Sequence, residues 1–200
     1  MLTYRLNSST SPETAPAFAL INAGGIRATI DAGPITRGEV LTAFPFSNAV
    51  VDVTLSGKQL WTTLEGIVSG VNVDNGKPVT SFLQVSRGVT IEYSPAVSNS
   101  SIKTNSTSGL VSVTIGDKPL DEAAQYTIVT LDFVAGGGDN FFSQPFENLV
   151  VLDTLDEILV NHIGATSPVD IALDGRIRQA TQAKMRRASR MAMNRRWRGM

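Results

Sequence analysis

Two glycine-rich turns constrain this chain more than any other feature, because each follows an apolar segment with the character of a buried strand. The first turn is Asn22-Ala-Gly-Gly-Ile-Arg27 and the second is Phe133-Val-Ala-Gly-Gly-Gly-Asp139. Glycine adopts a positive φ without steric cost and lets backbone N–H groups approach a ligand closely. Both turns therefore place accessible backbone N–H groups beside hydrogen-bonding or aromatic side chains, a combination that suits a nucleoside or a nucleotide.

The segments around these turns predict a mixture of strands and helices. A capping box formed by Ser56 and Gln59 precedes an apolar stripe at helical spacing and predicts a helix over residues 57–69. A second box, Thr154 with Glu157, predicts a helix over residues 155–164, and a short helix is expected at 36–41. Alternation and β-branched content predict strands at 18–22, 27–30, 49–55, 82–85, 89–93, 111–115 and 126–132. Because no regular βαβ repeat is present and residues 111–120 indicate a hairpin, the fold class is α+β, with a mixed β-sheet packed with helices.

Length and charge divide the chain into three parts. At 200 residues with 42% hydrophobic content, the chain is long enough for one domain with a full core. We expect an irregular lead-in at 1–17, a domain at 18–178 and a basic helical or disordered tail at 179–200. Nine of the 17 basic residues and no acidic residue lie from Arg176 onward, so the rest of the chain carries eight basic and 18 acidic residues, a net charge of −10.

The order of the motifs resembles the C-terminal domain of 5′-nucleotidases. The resemblance covers residues 18–178. It rests on both glycine turns and on four further motifs: Pro45-Phe46 before a strand, Leu55-Ser-Gly-Lys-Gln-Leu60, Phe82-Leu-Gln-Val-Ser86 and Gly175-Arg176-Ile177. In that family this domain holds the base and ribose of a nucleotide, while a separate two-metal phosphoesterase domain hydrolyses it.

The resemblance implies a role for each residue of the two turns. Phe46 and Phe133 would stack on opposite faces of the base, and Asp139 would accept hydrogen bonds from the ribose hydroxyls. Arg27 would reach the ribose or phosphate side. Asn22 and the backbone of Gly24 and Gly25 would complete the pocket. The residue types suit these tasks physically, because a ring needs flat apolar walls, a diol needs an acceptor and a phosphate needs a guanidinium or N–H groups.

Each of these residues also has a purely structural interpretation. Phe133 could be a core aromatic at a strand end, and either Phe44 or Phe46 could simply pack. Asp139 could be an ordinary turn residue, Arg27 could pair with Asp31, and Asn22 could brace its own turn.

The chemistry of the family is not expected from this chain. Two divalent metal ions would activate water in the missing catalytic domain, and such a site needs several His, Asp and Asn ligands. The chain has one histidine, His162, and no cysteine. We interpret His162 as a structural residue near a helix end, and we expect no catalytic residue, metal ligand or cofactor in this chain. It would then be a fragment, a split gene or a decayed copy of a larger hydrolase.

The sequence suggests two kinds of partner for this chain. The expected ligand is a nucleoside or its 5′-monophosphate, and a separate metallophosphoesterase domain is a possible partner. The alternative is a non-enzymatic binding module whose basic tail contacts nucleic acid or a membrane, although a solvated extension is the simpler interpretation.

Residues 1–16 lack the features of a signal peptide, and no apolar run approaches the roughly 20 residues of a transmembrane helix. Triplets beginning at Asn7, Asn99 and Asn105 match N-glycosylation acceptors, which chance also produces in such loops.

Overall fold

The computed structural model describes residues 18–94, 109–147, 149–182 and 184–185. Within them the chain forms nine strands: β1 Phe18–Asn22, β2 Ala49–Ser56, β3 Leu83–Val85, β4 Val89–Tyr93, β5 Leu110–Ile115, β6 Lys118–Pro119, β7 Gln125–Leu131, β8 Val150–Thr154 and β9 Ile177–Gln179. The helices are α1 Arg37–Ala43, α2 Gly57–Ser69, α3 Asp132–Ala135 and α4 Leu155–Thr166. The predicted α+β class is confirmed.

A five-stranded mixed sheet, in the order β3-β1-β7-β2-β8, carries both glycine turns. β1 runs parallel to β7, whereas β2 is antiparallel to β7 and β3 is antiparallel to β1. The ends of β1 and β7 and the starts of β2 and β3 therefore meet at one edge. We call this edge, formed by residues 22–27, 46–48, 78–82 and 132–140, the turn edge.

Helix α2 joins the two sheets of the domain. The second sheet has the order β6-β5-β4-β9, and α2 contacts β2 and β7 of the first sheet and β5 of the second. Its apolar stripe is buried, with Leu60 and Leu64 at 0% exposure. Burying a leucine of this kind stabilises a fold by roughly 1.5–3 kcal/mol. The predicted capping box is present, because Ser56 and Gln59 bond each other's backbone, and the helix ends at Gly70 with φ 76°.

Two local predictions are wrong, and the bounds of a third differ from the structure by one residue at each end. Residues 27–30 form no strand, because the Arg27 N–H donates to the carbonyl of Ala43 in α1 and the segment has no neighbouring strand. The side chain of Thr154 does not cap α4, and the Glu157 carboxylate instead pairs with the Arg37 guanidinium of α1. The predicted strand at 126–132 ends at Leu131, because Asp132 begins α3.

The second sheet holds the C-terminal segment through Glu92, which is 5% exposed. Its carboxylate accepts hydrogen bonds from Ser112 (2.7 Å), Arg178 (3.0 Å) and Lys184 (2.7 Å to the nearer oxygen). The Lys184 ammonium, together with the Ser112 hydroxyl and the Arg178 guanidinium, lowers the pKa of Glu92 from its ordinary 4.5 to about 2. Two basic residues of the C-terminal region are therefore engaged within the domain. The predicted lead-in, the three glycosylation triplets and residues 186–200 lie outside the described residues.

We predict that Gly57→Ala destabilises the domain by about 3 kcal/mol or more. The first turn of α2 docks on the backbone of residues 121–124, where the N–H groups of Gly57 and Lys58 donate to the carbonyls of Ala124 and Glu122. A Cβ on Gly57 would lie 1.9 Å from the carbonyl oxygen of Asp121. Urea unfolding measures the change. Gly164→Ala in α4 is the control, because its Cβ meets nothing within 4 Å and the helix should gain up to about 1 kcal/mol. Equal unfolding midpoints for the two variants would contradict this packing.

We also predict that Glu92→Gln lowers the melting temperature in a pH-dependent manner. The pKa of Glu92 is depressed in the folded state, so its stabilising contribution is complete above about pH 4.5 and is lost as the pH falls towards about 2. The difference in melting temperature between wild type and variant should therefore be largest above pH 4.5 and should disappear near pH 2. A difference that stays constant over this range would show that the ion pairs do not form.

Candidate ligand-binding site

The two glycine turns meet in space through one hydrogen bond. Asn22 follows β1, and its Nδ2 donates to Asp139 Oδ2 at 2.7 Å across 117 residues of sequence. Asn22 is buried, with 5% of its surface exposed, so the donor side of this bond is shielded from water. The structural interpretation in which Asn22 caps its own turn does not hold, because its side chain makes no such bond.

The Asp139 carboxylate is held from two sides. In addition to the bond from Asn22, the Thr80 hydroxyl donates to Asp139 Oδ1 at 2.6 Å. A carboxylate offers about four lone-pair sites, and these two bonds use two of them. Because Asp139 is only half-buried, further acceptor capacity remains open to a ligand.

Two phenylalanine rings project from neighbouring segments of the turn edge. Phe46 lies in the loop between α1 and β2 with 60% of its surface exposed, and Phe133 lies in α3 with 46% exposed. Neither residue is a core aromatic, whereas Phe44 is half-buried. Asn48 Nδ2 donates to Asp132 Oδ1 at 3.0 Å, so a side-chain bond connects the two ring-bearing segments.

Gly138 fixes where the Phe133 ring can lie. A Cβ on Gly138 would stand 2.5 Å from both the Phe133 ring and the Phe133 carbonyl oxygen. Only glycine tolerates such an approach, so the third glycine of the second turn is required by packing. The ring therefore rests against the turn that carries Asp139.

Arg27 is turned back over the first glycine turn. Its guanidinium carbon lies 5.9 Å from the centroid of the Phe46 ring, and Nη1 donates to the Gly24 carbonyl at 3.1 Å. This is a cation–π distance, and such contacts at exposed positions contribute about 0.5–1 kcal/mol. The Gly24 N–H donates to Ser81 Oγ at 2.8 Å, so this one backbone group is already engaged. Arg27 therefore contacts Phe46 and the first glycine turn at the turn edge.

The structure brings all seven predicted residues to the turn edge, whereas His162 does not line the small pocket formed there by Asn22, Gly25 and Phe46. His162 is exposed on α4 and lines a different, open groove of about 730 Å³ together with Arg87 and Arg176. Within the described residues, no group of three or more His, Cys, Asp or Glu side chains is arranged to hold a metal ion. None of the helices in the described part of the chain is long and apolar enough to cross a membrane.

Sequence reasoning missed four residues that shape the site: Asn48, Asp132, Thr80 and Ser81. Each acts through a side-chain bond to a segment distant in sequence, as in the pair of Thr80 with Asp139. Asn48 and Asp132 lie close in sequence to the predicted rings Phe46 and Phe133, and this proximity is the one local signal for them. Thr80 and Ser81 carry no such signal.

The fold and the turn edge define an α+β domain with aromatic, carboxylate and guanidinium groups gathered at one edge of a mixed sheet. Residues 6–144 match the family described as "5′-nucleotidase, C-terminal domain". An apyrase from Tabanus yao is 35% identical over 179 residues, covering 86% of this chain and 32% of the apyrase. Protein UshA of Yersinia enterocolitica is 32% identical over 157 residues, covering 76% of this chain and 25% of UshA.

A solved structure agrees with these relatives. The crystal structure of a 5′-nucleotidase precursor from Thermus thermophilus superposes with a TM-score of 0.69 at 30% identity, covering 91% of this chain and 34% of that one. The chain belongs to the 5′-nucleotidase C-terminal domain family, as the motifs predict. It spans about a third or less of the length of the relatives it matches.

We predict that Asn22→Asp destabilises the domain by about 1–3 kcal/mol at pH 8 and by less at pH 5. The substitution sets a second carboxylate against Asp139, where Asn22 Nδ2 now lies 2.7 Å from Asp139 Oδ2. Like charges raise the pKa of such a pair in the folded state, so the penalty grows as the pH rises and a shared proton relieves it at low pH. Thermal unfolding at the two pH values measures the effect.

The exchanged pair Asn22→Asp with Asp139→Asn is the control, because it restores one donor facing one carboxylate. It should recover most of the lost stability at pH 8. If Asn22→Asp and the exchanged pair melt alike at both pH values, the two turns are not in contact.

Proposed function

We propose that this chain is the substrate-recognition domain of a 5′-nucleotidase-like hydrolase acting in nucleotide catabolism, and that it binds the base and ribose of a nucleoside 5′-phosphate. One observation carries the proposal. The exposed Phe46 and Phe133 rings stand on segments joined by the Asn48–Asp132 bond, beside an Asp139 carboxylate fixed by Asn22. Family membership supports it, since the relatives include proteins named 5′-nucleotidase.

The two phenylalanines would hold the base by stacking. Both rings are exposed, so a flat ligand can reach them, and the Phe133 ring lies against Gly138. Stacking on an aromatic ring contributes about 1–3 kcal/mol per base and is tolerant of sequence, because every base has a π-face. We therefore expect several nucleosides to bind with similar affinity.

Asp139 would accept the ribose hydroxyls, and Arg27 would serve the phosphate side. A carboxylate with free lone pairs is the natural acceptor for a vicinal diol, and a hydrogen bond to a charged group is stronger than one between neutral groups. Arg27 is exposed, and its guanidinium already lies beside Phe46. The phosphate of a nucleotide stacked on that ring would lie within its electrostatic reach.

Asn22 and the first glycine turn would supply the remaining polar contacts. Asn22 Oδ1 is buried without a hydrogen-bond partner among the described residues, and a Cβ on Gly25 would lie 3.3 Å from it. Asn22 and Gly25 line a small pocket together with Phe46. A donor on the ligand would satisfy this oxygen, which otherwise carries the free-energy penalty of an unpaired buried acceptor.

We propose further that hydrolysis needs a separate metal-binding domain and that this chain alone does not catalyse it. Water activation by two divalent ions requires several ligands, and the chain has a single histidine, which lies on α4 away from the turn edge. The length of the relatives, about three times that of this chain, supports the same division of labour.

We predict that the 200-residue chain binds adenosine and AMP and that Phe133→Ala weakens both affinities about 5- to 150-fold, the equivalent of one lost stacking contact. Titration calorimetry measures the dissociation constants. Phe133→Tyr should bind as the wild type does, because it keeps the ring. Val151→Ala, on the exposed face of β8 in the same sheet, is the control for loss of exposed apolar surface.

Three outcomes would contradict these proposals. Equal affinities for the wild type and Phe133→Ala would remove the stacking role, and no binding by the wild type would remove the nucleoside site. Release of phosphate from AMP by the purified chain with added Zn²⁺ or Mn²⁺ would overturn the claim that catalysis lies in another domain.

A further inference from the structure

The segment Pro78–Ser81 lies between the two glycine turns and bonds to both of them. Ser81 Oγ accepts from the Gly24 N–H at 2.8 Å in the first turn. In the second turn, Thr80 Oγ1 donates to Asp139 Oδ1 at 2.6 Å, and the Thr80 N–H donates to the Asp139 carbonyl at 3.2 Å. The Pro78 carbonyl accepts from Asn140 Nδ2 at 2.8 Å. This segment therefore adds a second connection between the two turns, besides the direct Asn22–Asp139 bond.

The second turn needs such support because its backbone is strained. Asp139 has φ 55° and Asn140 has φ 56°, two consecutive residues in the left-handed region that favours glycine. Left-handed residues other than glycine persist where the surroundings over-determine them, and they cluster at ligand-binding sites. Here the backbone is held by two bonds, one from the Thr80 N–H to the Asp139 carbonyl and one from the Asn140 side chain to the Pro78 carbonyl. The Asp139 carboxylate is held by the side chains of Asn22 and Thr80.

The two side-chain bonds together define the orientation of the carboxylate. Asn22 engages Oδ2 and Thr80 engages Oδ1, so the group cannot rotate without breaking one of them. A vicinal diol that donates to both oxygens of a carboxylate gains most when the group is already oriented, because no side-chain freedom is lost on binding. Thr80 can therefore affect diol binding without touching the ligand.

We propose that Thr80 is a positioning residue that orients Asp139 for a ribose diol and so sets the preference of this site for ribonucleosides over nucleosides that lack both sugar hydroxyls. This inference rests on the proposed function, and it adds a specificity element outside both glycine turns. The affinity for the base comes from the two rings and does not depend on Thr80. The preference for a sugar with both hydroxyls does depend on Thr80.

The test compares adenosine with 2′,3′-dideoxyadenosine by titration calorimetry on the full 200-residue chain. The wild type should prefer adenosine. Thr80→Val keeps the shape of the side chain but lacks the hydroxyl, and it should reduce that preference about tenfold while changing the affinity for dideoxyadenosine less than about twofold. Thr80→Ser keeps the hydroxyl and should retain the wild-type preference.

Controls separate positioning from a general loss of structure. Thr54→Val removes a threonine hydroxyl that pairs with Thr127 elsewhere in the same sheet, and it should leave both affinities unchanged. Thr80 is exposed, so Thr80→Val should fold, and Thr80→Ala provides a second variant with the same expected ratio. A merely structural role for Thr80 would weaken the binding of both ligands equally and leave the ratio as it is.

The outcomes distinguish this inference from the proposed function. If the wild type binds neither ligand, the proposed function fails and the inference fails with it. If the wild type prefers adenosine and Thr80→Val keeps that preference, or Thr80→Ser loses it, the positioning role is overturned while the nucleoside site stands. Equal wild-type affinities for the two ligands would also overturn the positioning role, because Asp139 would then take no diol.

Discussion

The parallel pairing of β1 with β7 is the constraint on which the candidate site depends. Phe18 is in register with Ile128 and Ala19 with Val129, so both strands run towards the same edge of the sheet. Parallel strands cannot be joined by a tight turn and need a long crossover. That crossover contains β2 and β3, whose antiparallel pairing places their starts at the same edge. Four segments distant in sequence thus meet there because of this parallel pairing together with the two antiparallel ones.

Hydrogen bonds between side chains turn this meeting into a defined geometry. The Asn22–Asp139 bond joins the glycine turns, the Asn48–Asp132 bond joins the ring-bearing segments, and Thr80 bridges to Asp139 from a third direction. Glycine is essential at Gly138, where the Phe133 ring leaves no room for a Cβ. The Asp139 carboxylate is therefore held by two side-chain bonds, while the two aromatic rings stay exposed.

Sequence reasoning succeeded where structure is decided locally. The helix α2 was predicted with its observed bounds, because the Ser56–Gln59 capping box and the apolar stripe both act within a few residues. The strand at 89–93 was also correct. The Thr154–Glu157 box failed because the Glu157 carboxylate pairs with Arg37 of α1. The strands β8 and β9 were missed because β8 is largely exposed and β9 has only three residues, so neither shows the alternation of a half-buried strand.

The same difference between local and long-range contacts explains which residues of the site could be predicted from the sequence. Motif order predicted the family and the seven residues that the fold gathers at the turn edge, since glycines and aromatics are visible in a sequence. The residues that orient them, such as Thr80 and Asn48, are ordinary polar side chains whose significance lies in contacts across 59 and 84 positions. No local pattern marks contacts of this kind, and only the folded chain shows them.

We propose that the turn edge holds a base and a ribose, and a crystal structure of the 200-residue chain grown with adenosine would show whether it does. We expect the adenine ring to stack against Phe133 and Phe46, with the ribose hydroxyls within hydrogen-bond distance of Asp139. Adenosine bound elsewhere, such as in the groove between His162 and Arg176, with the turn edge empty, would contradict it.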